Sequence, residues 1–95
     1  MSQHNHSVVL VWIGPGAHSY IAMTPRQVRL YRYLLGQGDR LVPFPEIEAA
    51  LGWSRNLLRV TKIELGRLLE GVGRIACYRN AAGRESAYRL TLEEV

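Results

Sequence analysis

The run Glu46-Ile47-Glu48-Ala49-Ala50-Leu51-Gly52-Trp53-Ser54-Arg55-Asn56-Leu57-Leu58-Arg59-Val60-Thr61-Lys62-Ile63-Glu64-Leu65-Gly66-Arg67-Leu68-Leu69 decides how this chain folds. It holds two apolar-periodic segments parted by Leu51-Gly52-Trp53-Ser54. Glycine takes the left-handed backbone that closes a helix, and a serine oxygen accepts from the free N–H groups that open one. The spacing therefore predicts a stop at Gly52 and a start at Ser54, with Trp53 as the anchor of the turn. The helix ahead opens at Pro45, whose missing N–H costs nothing in a first turn, and runs to about Leu51. Ile47, Ala50 and Leu51 are its expected apolar stripe.

The second helix is the informative one. At about 100° per residue, Leu57, Leu58, Thr61, Leu65, Leu68 and Leu69 share one broad sector, which predicts the core face. The opposite sector carries Asn56, Arg59, Val60, Ile63 and Arg67, with Arg55 at its edge. Gly66 lies there too, and no apolar stripe explains it. Two helices joined by a short glycine-containing turn form a helix-turn-helix, and the second helix of such a unit fits the major groove of DNA. Arg forms paired hydrogen bonds with a guanine edge and Asn with an adenine edge, and apolar side chains meet thymine methyl groups. Ser54 and the helix N-terminus suit a phosphate.

Working outward, Thr24-Pro25-Arg26-Gln27 is a helix start, with Thr24 as N-cap, Pro25 at the first position and Gln27 closing a capping box. Met23 and Val28 hold the two places of a hydrophobic staple. Val28, Leu30, Tyr31, Leu34 and Leu35 form the expected core stripe of this first helix, with Arg26, Arg29 and Arg32 on its wet side. Leu41-Val42 reads as a short extended piece. After Gly71-Val72-Gly73, two strand-like runs, Arg74 to Arg79 and Glu85 to Thr91, flank Asn80-Ala81-Ala82-Gly83-Arg84. This is a β-hairpin, with Gly83 supplying a positive φ in its loop. Ile75, Cys77, Tyr88 and Leu90 are expected to alternate inward, Cys77 as a small apolar residue. Arg79 and Arg84 stand at the tip, and Arg74 and Arg89 nearer the base. At the other end of the chain, Val8 to Ile13 and His18 to Met23 flank Gly14-Pro15-Gly16 and read as a second hairpin.

The fold class expected is thus α+β: a three-helix winged helix-turn-helix with an N-terminal β-hairpin and a C-terminal β-hairpin wing. Residues 1–7 read as a flexible tail and 8–95 as a single domain, in keeping with a chain of 95 residues. Its 47% hydrophobic content is that of a globular protein, and the lone Cys77 excludes an internal disulfide framework. No apolar run is long enough to span a bilayer, and no signal peptide is read, so a cytoplasmic, nucleoid-associated location is expected. The net charge of +4 is unevenly spread: residues 1–25 hold no Lys, Arg, Asp or Glu, whereas 53–91 hold eight basic residues against three acidic. That imbalance points the C-terminal half toward a polyanion.

Thr24-Pro25-Arg26-Gln27-Val28-Arg29-Leu30-Tyr31-Arg32-Tyr33-Leu34-Leu35 with Gly38-Asp39-Arg40-Leu41-Val42, closed by Tyr88-Arg89-Leu90, resembles the winged-helix output domain of OmpR/PhoB-type response regulators over about residues 23–90. The resemblance implies a third helix that reads DNA and a β-element ahead of the first helix. The family's N-terminal sheet has four strands where two fit here, and Leu51 to Leu58 is similar to the turn of MarR-type repressors.

The function expected is sequence-specific binding of double-stranded DNA by a small transcriptional regulator. The recognition helix would be 54–70 and the wing 74–91, on the backbone or in the minor groove. The expected contacts are Ser54, Arg55, Asn56, Arg59, Val60, Lys62, Ile63, Arg67, Arg74, Arg79, Arg84 and Arg89. A homodimer through the uncharged N-terminal hairpin is expected, reading two half-sites. The alternative is a protein-docking module that uses that hairpin with Val60 and Ile63. RNA binding ranks lower, because clustered exposed aromatics for stacking are missing. No catalytic set, cofactor or small-molecule site is read. Glu46 and Glu48 project to different sides of their helix, and His4, His6 and His18 do not have metal-ligand spacing with further donors.

Overall fold

Leu58, Thr61, Leu65 and Leu69 are fully buried, and the other elements gather round the helix that carries them. A computed structural model describes residues 7–14 and 17–92. The element order is β1 (Ser7–Gly14), β2 (Ala17–Met23), α1 (Pro25–Gly36), β3 (Val42–Pro43), α2 (Phe44–Leu51), α3 (Arg55–Leu68), β4 (Gly73–Arg79) and β5 (Glu85–Leu92). The described residues form a small α+β fold with three helices, a three-stranded antiparallel sheet in the order β3-β5-β4, and a separate two-stranded sheet β1-β2. The turn at Pro15-Gly16, the tail and the three histidines' expected lack of a site fall wholly or partly outside the described residues. Among the described residues no group of three or more His, Cys, Asp or Glu could hold a metal ion, and no helix is long and apolar enough to cross a membrane.

The local signals act as their chemistry dictates. Thr24 caps α1: its side chain accepts from the Gln27 N–H at 3.3 Å, and the Gln27 side chain accepts from the Thr24 N–H at 2.9 Å. Ser54 caps α3 by accepting from the Leu57 N–H at 3.1 Å. Gly52 ends α2 at φ 71°, in the left-handed region, and its N–H donates to the Glu48 carbonyl at 2.8 Å.

The core is one cluster. Leu30, Tyr31 and Leu34 of α1, Phe44 and Ile47 of α2, Leu58 and Leu65 of α3, and Ile75, Tyr88 and Leu90 of the sheet meet in it with Trp53 of the turn. Each large apolar side chain so buried contributes about 1.5–3 kcal/mol. Phe44 and Tyr88 pack with ring centroids 4.6 Å apart and their planes tilted by 54°. Met23 seats the two-stranded sheet, being fully buried at the end of β2.

Four expectations need correction. α2 begins at Phe44 with Pro43 as its N-cap, which puts Pro45 at the second position, and Phe44 and Ile47 supply its buried face while Ala50 is exposed. Phe44 outcompetes Ala50 because its ring reaches the sheet. Leu35 stands 47% exposed at the last turn of α1, off the face that carries the buried Leu30, Tyr31 and Leu34. Leu68 is 36% exposed on the margin of the α3 core face. Cys77 is half-buried against the core.

Candidate nucleic-acid interface

Two of the three α1 arginines are not free on the wet side. Arg29 lies 5.7 Å from the Trp53 ring centroid and donates to the Leu51 carbonyl at 2.9 Å. It thus ties the end of α2 and the turn to α1. Arg26 donates to Glu64 at 2.9 Å, and Gln27 reaches the same oxygen at 3.2 Å, joining α1 to α3. The Arg26 guanidinium holds the Glu64 carboxyl below the usual carboxylate range.

α3 is fixed against α2 and β5 by cations lying on aromatic rings. Arg55 sits 4.9 Å from the Phe44 ring centroid, and Lys62, two turns on, sits 5.5 Å from that of Tyr88. The packed Phe44–Tyr88 pair is therefore flanked by two positive charges from one helix, an arrangement favoured by the negative faces of the rings. Arg55 also pairs with Glu48 of α2 through its Nε, with a second contact of 3.4 Å from NH2 to Oε1. Arg55 is thus committed to holding α2 and α3 together.

This leaves Asn56, Arg59, Val60, Ile63 and Arg67 on the outward face of α3, all exposed. Ile63 is 51% exposed and Val60 39%. Ser54 spends its acceptor on the helix, and its hydroxyl proton remains available to an anion.

Beside α3 runs the β4–β5 hairpin. Its loop is ordered by Asn80, whose side-chain oxygen accepts from the N–H groups of Ala82 at 2.9 Å and Arg84 at 3.1 Å. Gly83 turns the chain at φ 77°. Arg79 donates to the Gly83 carbonyl at 3.0 Å and lies 3.5 Å from Glu85. Between hairpin and helix lies a groove of about 430 Å³ lined by Arg59, Lys62, Ile63, Arg79, Arg84, Glu85 and Tyr88. Four cations converge there around one carboxylate. A second groove, of about 280 Å³, continues along α3 past Gly66, Arg67 and Arg74.

The structure thus brings Arg59, Lys62, Ile63, Arg79 and Arg84 into one groove, and Arg67 and Arg74 into the next. Arg89 is set apart: it pairs with Ala76 at a register position that alternates with the buried Tyr88 and Leu90. Gly66 now has a place. A Cβ added there would meet nothing within 4 Å, so the glycine keeps that groove wall low without being required by packing.

Sequence reasoning missed Glu85 and the hydroxyl of Tyr88. Tyr88 donates to Glu85 at 3.2 Å, and burial together with that carboxylate pushes its own acidity well down. A strict two-residue alternation would put positions 85 and 88 on opposite faces. The register shifts, however, from Tyr78↔Ala87 to Arg79↔Glu85, leaving Ser86 as an extra residue. Such a bulge re-aims the side chains beside it, and Glu85 turns to the same side as Tyr88. No turn residue in the sequence marks that bulge.

Compared with protein-family models, curated proteins and solved structures, the chain has no match in any of the three.

Proposed function

We propose that this chain is a winged helix-turn-helix protein that binds double-stranded DNA sequence-specifically, as a small transcriptional regulator acting at the nucleoid. In this reading α2, the Gly52-Trp53 turn and α3 form the helix-turn-helix, and the β4–β5 hairpin is the wing. One observation carries the reading: the outward face of α3 runs without a break into a groove where Arg59, Lys62, Arg79 and Arg84 converge. A helix of this size fills the major groove, and the hairpin beside it would meet the backbone or the minor groove.

The roles then divide by chemistry. Arg59 and Asn56 read base edges. Val60 and Ile63 face thymine methyl groups. Arg79, Arg84, Arg67 and Arg74 neutralise phosphates. Ile63 lines the cationic groove, a surrounding that suits a methyl group on a polyanion better than the apolar patch of another protein. Two copies bind together, joined through β1 and β2.

Selection of bound sequences from a random duplex pool, at two salt concentrations and against single-stranded RNA, tests the reading. Recovery of a consensus duplex, with affinity falling steeply as salt rises, supports it. Retention of no duplex at low salt overturns it.

A further inference from the structure

We propose that Glu85 is an internal counter-ion that fills the phosphate position of the groove between α3 and the β4–β5 hairpin, so that an incoming strand seats there only by displacing it from Arg79. The identity of the displacing group as a nucleic-acid phosphate rests on the function proposed above; the masking of Arg79 does not.

Three observations carry this. First, Glu85 is the sole acid among the residues lining a groove that holds Arg59, Lys62, Arg79 and Arg84. Second, both of its oxygens are occupied: Oε1 accepts from the Tyr88 hydroxyl at 3.2 Å, and Oε2 lies 3.5 Å from Arg79 NH2. Third, the donors form a receptor fit for an anion. The Tyr88 ring is fixed, being fully buried and packed against Phe44, so its hydroxyl points at one place. Arg79 is the more open partner, its side chain 61% exposed against 27% for Glu85. An ion pair this open to water is weak, and a phosphate in a polyelectrolyte chain outcompetes it. Glu85 thereby sets a threshold: isolated anions leave the groove closed, and a strand held already by α3 opens it.

The test compares wild type with Glu85→Gln, which keeps an acceptor for Tyr88 but removes the charge. The binding of a fixed duplex is followed from low to high salt. Glu85→Gln should tighten binding about fivefold near 0.15 M salt, the loss of an exposed ion pair that must otherwise be broken, and keep the fall of log affinity with log salt parallel to wild type, because one phosphate seats on Arg79 in both. Glu85→Asp, which keeps the charge, should leave the affinity as in wild type and guards against a change of fold. In an Arg79→Met background the gain from Glu85→Gln should vanish. Equal affinity of wild type and Glu85→Gln overturns the proposal, and so does a gain that persists without Arg79, which would be general charge repulsion. The same proteins are run on immobilised heparin. Later elution of Glu85→Gln that depends on Arg79 upholds the masking even if no duplex binds, in which case only the DNA reading falls. An unchanged elution order overturns the masking whatever the duplex result.

Discussion

Arg55 and Arg59 stand one turn apart on α3, and the fold gives them different work. Arg55 is held between Glu48 and the Phe44 ring, whereas Arg59 opens into the groove beside the hairpin. On a helical wheel Arg55 lies at the edge of the outward sector, and that edge position is what lets it turn back to α2. Replacing Arg59 by Ala should therefore change which sequences a random pool yields, at a cost of about 1–3 kcal/mol for the best site. Arg84→Ala should weaken all duplexes evenly and lower the salt slope by about one. Arg55→Ala should leave the consensus unchanged and lower stability by about 1 kcal/mol, since an exposed cation over a ring and an exposed ion pair are each small. In a domain this size that is a fall in Tm of about 4–8 °C, read by a thermal melt. A shifted consensus with an unchanged melt would reverse the assignment. The residue types on α3 were legible because a helical wheel is a local rule. The commitment of Arg55, Arg29 and Lys62 to aromatic rings was not, because each ring comes from a different element of the fold.

At the scale of elements, starts and stops were legible wherever one side chain makes them. Thr24, Ser54 and Gly52 act where their chemistry placed them, each satisfying a backbone group its helix leaves open. The start of α2 was misplaced by one residue because Pro43 and Pro45 both permit a helix start, and only the burial of Phe44 in the core decides between them. The wing-like hairpin depends on a close approach that no pattern shows: a Cβ on Gly73 would fall 2.7 Å from the Thr91 carbonyl oxygen. Gly73→Ala must push β4 from β5 at the base of the hairpin and should cost about 1–3 kcal/mol, seen as a lower urea midpoint. The tie between α1 and α3 gives a pH signature. Glu64 has its pKa lowered in the folded chain by Arg26, then Gln27. Its stabilisation is therefore present above the ordinary carboxylate range and is lost as pH falls through and below that range. Glu64→Gln should flatten that part of the Tm–pH profile. Some acid loss should persist, because Arg40 lowers the pKa of Glu46 in the same direction. An acid limb identical to wild type would remove Glu64 from the account.

For the molecule as a whole, charge and flatness argue together. The principal extents are 40 × 39 × 19 Å, so this thin fold has two broad sides and its elements are reached from both. All the charged residues lie beyond position 25, and the two-stranded sheet formed before it has no strand of the other sheet beside it. A lone pair of strands is marginal in water, and its edges are template for further pairing unless charge or proline guards them. Here β1 and β2 contain neither Lys, Arg, Asp, Glu nor Pro. Tyr20 is 74% exposed at the middle of β2, paired in register with Leu10, and its neighbour on that face, Ala22, pairs with Val8. An uncharged surface of this kind repels no second copy of itself, whereas a polyanion gains nothing from it. Two copies joined there would present two α3 helices to two half-sites, which lengthens the sequence read without enlarging the domain. If two copies join through this sheet, Tyr20→Lys would set like charges against one another in the shared surface. It should raise the dimer dissociation constant at least about tenfold, the effect of losing one buried aromatic, and leave the monomer's melt unchanged. Sedimentation of wild type and variant across concentration measures the first, and selection from a random pool should turn from an inverted repeat to a single half-site in the variant. A wild type that sediments as a monomer at every concentration would refute the dimer while leaving the α3 contacts to stand by themselves.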